Sequence, residues 1–264
     1  MNVGLIITII PLISTLLGFY NFLYFITIGY GASISFNGLA LIVLYYNELN
    51  LVTIFLCIFL ILYGIRLSSY LIIREFCFKS YIQTVKKDIN RINSYPIYIN
   101  IISWIVCSLL YTSLTTPVYY IIINKSKKLL SSYISIVIII FGFFLEAIAD
   151  HQKAMAKKKN PKRFVSNGLY KIVRCPNYFG EILIWVGYFF SAIQIYKNSL
   201  QFIISFIGLA TVIFIMFGGA RRLEIRQDKN YGDMKEYQIY KSNVPIMIPF
   251  LPIYSVKKYS WLVG

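Results

Sequence analysis

The chain has 264 residues, of which 58% are hydrophobic and 14% charged, with a mean hydropathy of +0.67. A soluble domain of this length cannot hide so much apolar surface, so a soluble enzyme or binding module is excluded and an all-α polytopic membrane protein is expected. The net charge of +16 does not argue for nucleic acid. The Lys and Arg residues lie between and after apolar runs, where positive-inside sorting puts them and where anionic headgroups or a phosphorylated cofactor would meet them.

The first charged residue is Glu48. An uncharged opening of that length is too long for a signal peptide and lacks a basic leader, so it reads as a helical hairpin over residues 1–50. Apolar windows fall at about Val3 to Tyr20, Phe22 to Tyr46, Leu51 to Ile73, Ile97 to Ile123, Leu129 to Ala149, Ile182 to Tyr196 and Phe202 to Gly218. Each is near the ~20 residues that a helical span needs, which predicts about seven transmembrane helices in one membrane domain over 1–264. Pro11 is expected to kink the first helix, and Gly29, Gly31 and Gly38 to let the second pack closely.

Basic residues set the expected orientation. Arg74, Lys79, Lys86, Lys87 and Arg91 follow the third span, Lys157 to Lys159 follow the fifth, and Arg221, Arg222 and Arg226 follow the last. All three groups fall on one side if the N-terminus is outside and the C-terminus cytoplasmic; Lys125, Lys127 and Lys128 fall on the other. Cys57, Cys77, Cys107 and Cys175 form no CxxC pair, and His151 is the sole histidine, so neither a disulfide framework nor a metal site is expected.

Arg66 sits inside the third span, where a charge costs at least about 2.5 kcal/mol unless it meets a wet cavity or an anion. Tyr63, Arg66, Tyr70 and Arg74 are spaced three, four and four apart, which puts them on one helix face. For Arg74 the alternative is snorkelling to the interface. Glu146 and Asp150 stack in the same way at the end of the fifth span. Two adjacent acids repel unless a cation or donor lies between them, although they could equally be interface acids matched to Lys153 and Arg163.

The stretch NPKRFVSNGLYKIVRCPNYFGEILIWVG, residues 160–187, is the most site-like part of the chain. Arg163 and Arg174 suit bidentate phosphate contact, and Asn177 offers a donor and an acceptor. Gly168 and Gly180 permit close backbone approach to a ligand, and Pro176 stops any preceding helix. Glu181 and Trp185 share one face of the helix that follows. The competing reading is an interfacial loop whose belt is Tyr170, Tyr178 and Trp185.

In order, EAIADHQK, RFVSNGLYKIVRCPNYFGEILIWVGY and RRLEIRQDKNYGDMKEYQIYKSNVPIMIPF resemble the C-terminal domain of the steroid 5α-reductase-like membrane reductases. Sterol C14 and C7 reductases share the closing pattern. The likeness covers roughly residues 50 to 250, so 51–250 is taken as the reductase-like core with a cytoplasmic cofactor end. It implies an NADPH-dependent membrane oxidoreductase that reduces a carbon–carbon double bond conjugated to a carbonyl in a steroid or other lipid. Tyr63 falls on the carbonyl-binding tyrosine and, with Glu181, is the expected catalytic pair. Arg66 falls on a cofactor-contacting arginine, and Asp150, Arg163, Asn177 and Glu181 on residues lining the dinucleotide pocket. Tyr70, Arg74, Glu146, Arg174 and Tyr178 complete the expected NADPH-binding set.

The chain departs from that pattern at two points. Many relatives read Arg-His-Pro-Asn-Tyr where this chain has Arg174, Cys175, Pro176, Asn177 and Tyr178, and a thiol cannot replace imidazole as a proton donor near neutral pH unless its pKa is shifted. The acid that steroid reductases pair with the tyrosine has no counterpart here except Glu48. An S-adenosylmethionine-dependent methyltransferase of the isoprenylcysteine or phospholipid type resembles the chain in its Gly, Tyr, Arg, Pro, Tyr, Gly series and stands as the alternative; a non-catalytic sterol-binding protein is a third. The expected partners are a lipid or steroid enone and membrane lipids, with no nucleic acid. The expected location is the endoplasmic reticulum membrane if the source is eukaryotic and the inner membrane if bacterial.

Overall fold

The computed structural model describes residues 3–77, 95–125 and 130–262. Among these the fold is all-helical, with eight α-helices, four short 3-10 turns and no strand. The helices are α1 (Val3–Ser14), α2 (Ile28–Leu44), α3 (Leu51–Cys77), α4 (Ile97–Asn124), α5 (Leu130–Lys159), α6 (Pro176–Ser191), α7 (Ser199–Tyr231) and α8 (Lys235–Asn243). Among the described residues five segments are long and apolar enough to cross a membrane: Phe22–Leu44, Leu51–Ile73, Ile97–Asn124, Leu130–Lys159 and Ser199–Tyr231. The chain is therefore an integral membrane protein by length and composition. The first and sixth apolar windows form shorter helices, α1 and α6.

Helix boundaries differ from the apolar windows where polar sequence continues a helix. α5 runs ten residues past Ala149 and α7 runs well past Gly218, so acids and bases are carried on rigid extensions of apolar helices. α6 begins at Pro176, six residues before its apolar window, because a proline at the first helical position costs no hydrogen bond and presets φ. Of the basic residues that set the expected orientation, those in 78–94 and 126–129 lie outside the described residues.

The chain divides into two compact units, residues 1–136 with 188–208 and residues 137–187 with 209–264. In the first unit α2 and α3 pack backbone to backbone. A Cβ on Gly31 would lie 2.5 Å from Gly64 O, one on Gly64 would lie 2.2 Å from Gly31 O, and one on Gly38 would lie 2.9 Å from Cys57 O. Polar side chains then join the helices, which is the favoured glue where apolar contact alone brings no gain. Asn37 Nδ2 donates to Ile7 O and to Thr115 Oγ1, both at 3.1 Å. Trp104 Nε1 donates to Leu12 O at 2.8 Å, and the Thr15 and Ser108 hydroxyls are 3.0 Å apart.

In the second unit α5 and α6 run antiparallel through a second glycine contact. A Cβ on Gly142 would lie 2.8 Å from Gly180 O, and one on Gly180 would lie 2.8 Å from the backbone N of Glu146. The core beneath α6 and α7 contains Cys175, Ile182, Ala220, Leu223, Ile246, Met247, Val256 and Leu262, so the residues after α8 cover the ends of both helices. Backbone bonds fix that cover: Arg174 N donates to Pro245 O and Cys175 N to Ile246 O, both at 2.9 Å.

Candidate functional site

The glycine contact between α5 and α6 determines where the predicted acids sit. Glu146 adjoins Gly180, so Asp150, one turn or about 6 Å further along α5, lies level with the first turn of α6, which carries Asn177. Glu146, Asp150 and Glu181 are all buried, at 3%, 7% and 8% exposure, while Asn177 and Tyr178 are half-buried. The Tyr178 ring packs on α7, where a Cβ on Gly219 would be 3.4 Å from it. The structure thus brings Glu146, Asp150, Asn177, Tyr178 and Glu181 to one stretch of α5 and α6. The two glycines expected to admit a ligand are occupied by the chain itself. Gly180 faces Glu146, and Gly168, at φ +60°, faces the Gln152 carboxamide, whose Oε1 accepts from Leu169 N at 2.9 Å.

Two of the predicted cations lie away from that stretch. Arg163 is exposed, ion-paired with Glu236 of α8 at 2.7 Å, and lines an open hollow of about 610 Å³ with Asn160, Pro161, Lys162, Met234 and Glu236. Arg174 is only 2% exposed. Its Nη2 donates to Tyr254 O and to Glu224 Oε1 at 3.3 Å, while Nε and Nη1 are buried without a hydrogen-bond partner. Arg174 therefore fastens the C-terminal cover internally. A phosphate arriving from solvent has no exposed face of this guanidinium to meet.

Glu224 and its neighbours are functional-looking residues that sequence reasoning passed over. Glu224 Oε2 accepts from Val256 N at 3.0 Å, and Lys241 Nζ lies 3.2 Å from Oε1. One turn on, Asp228 takes Lys241 at 2.7 Å, Lys257 at 3.0 Å and the Tyr237 hydroxyl at 3.0 Å. The signal was present in RRLEIRQD, where two acids stand four apart, the spacing that singled out Glu146 and Asp150.

Cys175 is the residue for which the resemblance to the reductases implies histidine. It is 1% exposed in the core under α6, and burial pushes its thiol up to about 11, against smaller lowering effects of Lys153 and Arg174. A group titrating there holds its proton at neutral pH and supplies neither thiolate nor acid. Iodoacetamide at pH 8 is accordingly expected to leave Cys175 unmodified in the folded protein and to alkylate it after denaturation, as read by peptide mass spectrometry.

The first unit holds the remaining predicted residues. Tyr63 is buried at 1% exposure in α3, and its hydroxyl is 3.3 Å from that of Tyr30 on α2, either group being able to donate. Tyr30 stacks on Tyr111, centroids 4.8 Å apart, and the Tyr111 hydroxyl donates to Phe25 O at 2.8 Å. Glu48 does not reach this pair, since its carboxylate is held by Lys125 at 3.0 Å. A second phenol, Tyr30, adjoins the Tyr63 hydroxyl. Arg66 and Tyr70 are half-buried on the same helix. Arg74 belongs to α3, but its side chain lies outside the described residues.

The model of the family described as protein of unknown function DUF1295 matches residues 14–244. The chain belongs to the DUF1295 family. A steroid 5-alpha-reductase, DET2 of Arabidopsis thaliana, is 35% identical to this DUF1295 protein over 57 residues. That stretch is 21% of this chain and covers 22% of the relative's length. No solved structure matches the chain. The matched range includes Tyr63, Glu146, Asp150, Arg163, Asn177 and Glu181, and ends at Val244, before the Pro245 and Ile246 carbonyls that hold α6.

Proposed function

We propose that this DUF1295 protein is an NADPH-dependent membrane reductase that saturates a carbon–carbon double bond conjugated to a carbonyl in a steroid or other lipid. The observation that carries the reading is the buried phenol pair, Tyr63 and Tyr30, inside an apolar helical unit. A neutral hydroxyl held away from water, with a second hydroxyl behind it, is suited to donate to a carbonyl oxygen as negative charge develops there. The likeness to a plant steroid 5-alpha-reductase supports the same chemistry.

The residues on α5 and α6 fit a dinucleotide by their donor and acceptor types. Buried carboxylates at Glu146, Asp150 and Glu181 accept from amide and ribose hydroxyl donors, Asn177 does both, and Tyr178 supplies an aromatic face. Lys162 and Arg163, exposed on the loop after α5, offer charge for phosphate. NADPH, when bound, supplies the hydride. The chain's own residues would bind and polarise: in the second unit the carboxylates and Asn177 would hold the dinucleotide, and in the first unit the Tyr63 hydroxyl would donate to a carbonyl oxygen. Arg174 is left out of this set because Glu224 and Tyr254 occupy it. Glu181, being buried beside Gly180, is given a binding role.

We further take the whole chain as one membrane domain of seven spans, with α1 and α6 as short spans, the N-terminus outside and the basic C-terminal region cytoplasmic. Titration of the purified protein in detergent with NADPH and with S-adenosylmethionine tests the reading. Saturable NADPH binding that is weakened by Asn177→Ala supports it. Binding of S-adenosylmethionine alone would replace it with methyl transfer, and sterol binding without either cofactor would leave a non-catalytic protein.

A further inference from the structure

Within the C-terminal cover of α6 and α7, residues 257–261 turn back along α7. Arg221 Nε donates to Lys257 O at 3.2 Å, which fixes the chain at Lys257 to the level of the first charged residue on α7. Four residues later Trp261 stacks on Phe214 of the same helix, centroids 6.2 Å apart. Phe214 precedes Arg221 by seven residues, about two turns or ~10 Å, in a stretch of α7 that carries no charge. From Lys257 to Trp261 the chain therefore travels back along α7, from its charged extension into its apolar span. Val256 and Leu262, 2% and 4% exposed, pin both ends of this path in the core.

The side chains along the path are graded in polarity. Trp261 is 63% exposed beside Phe214, Tyr259 packs edge-on against Trp261 at 6.0 Å, and Lys258 Nζ sits 5.0 Å over the Tyr259 ring. The order from the apolar span outward is phenylalanine, tryptophan, tyrosine, ammonium. Side chains of this kind gather at the junction of acyl chains and headgroups, where an apolar body and a polar tip are both satisfied.

We propose that residues 257–261 form an interfacial membrane anchor, with Trp261 and Tyr259 in the acyl boundary and Lys258 at anionic phospholipid headgroups. The occupant is lipid because the exposed aromatic edge is continuous with α7, a helix apolar enough to span a bilayer. The charge agrees, since Lys258 and the exposed Arg222 suit anionic headgroups. The anchor fastens the cover that Glu224 and Arg174 hold from within, so the cap over α6 and α7 is gripped by the protein on one side and by the membrane on the other.

The test uses the full chain in phosphatidylcholine and phosphatidylglycerol vesicles, with the Trp261 signal taken as the emission of the native protein minus that of Trp261→Phe. The chain has three tryptophans, and the subtraction leaves Trp104 and Trp185 in place. The anchor predicts that lipid brominated near the top of the acyl chain removes most of the Trp261 emission, while aqueous iodide leaves it. Quenching by iodide and not by bromolipid would overturn the proposal in favour of a cytosolic tail. Protection from both would overturn it in favour of a second copy of the chain. In Lys258→Glu protein the same signal is expected to become accessible to iodide; if it stays protected as before, the headgroup contact is refuted.

Discussion

Replacing Glu224 with leucine is expected to be the most damaging single change in the second unit, lowering stability by about 3–5 kcal/mol. The carboxylate is fully buried and joins two segments, taking the Arg174 guanidinium at 3.3 Å and the Val256 N–H at 3.0 Å. Removing it frees one Nη2 donor of a buried arginine whose Nε and Nη1 already lack hydrogen-bond partners. The C-terminal cover then loses its attachment at Val256, and of the Arg174 side-chain bonds to Glu224 and Tyr254 only the one to the Tyr254 carbonyl remains. Glu224→Gln keeps the shape and the Val256 bond and should lose less. The double variant Arg174→Met with Glu224→Leu should recover much of the loss, because the cost lies in stranding one charge and not in lacking the pair. Unfolding in detergent, followed by the loss of monodisperse protein with temperature, ranks the four proteins. Equal loss in the single and double variants would show that the ion pair is not what holds the cover.

Tyr63→Phe is expected to lower turnover of a lipid enone by about 10²–10³-fold, the usual cost of one donor at a developing oxyanion. NADPH affinity should be unchanged, since the substitution removes one oxygen from a buried phenol in the first unit and no group assigned to the cofactor. Tyr30→Phe removes the hydroxyl behind it, 3.3 Å away, and should give a smaller loss of kcat at similar KM. Retained turnover in Tyr63→Phe would take this phenol out of the chemistry while leaving the cofactor assignment intact.

The helices were legible because lipid enforces a simple rule: each apolar window falls on a helix, five of them in segments long and apolar enough to cross a membrane, and Gly31 and Gly38 marked a real seam against α3. Helix ends were less legible, because α5 and α7 continue through charged sequence that hydropathy treats as loop. The grouping of the candidate residues was legible in part. The spacing of Glu146 and Asp150 was readable, but their nearness to Asn177 and Glu181 depends on the Gly142 and Gly180 contact, which no local pattern encodes. Arg174 misled because a basic residue in a ligand-like motif looks the same whether its partner is a phosphate or a glutamate fifty residues away. The Arg-Cys-Pro-Asn-Tyr block and the Val-Pro ending, about seventy residues apart in sequence, meet in space. The backbone N–H groups of Arg174 and Cys175 donate to the Pro245 and Ile246 carbonyls, a contact that no local pattern encodes. Tyr30 escaped notice because a tyrosine in an apolar run carries no signal until its hydroxyl is seen against that of Tyr63.

The most direct measurement incubates the reconstituted protein with NADPH deuterated at the transferring position and a panel of membrane-soluble enones, with products read by mass spectrometry. The account predicts a saturated product carrying one deuterium at the carbon β to the carbonyl, formed at a rate that falls in Tyr63→Phe. A product that gains a methyl group from labelled S-adenosylmethionine, with no deuterium from NADPH under any condition, would contradict it.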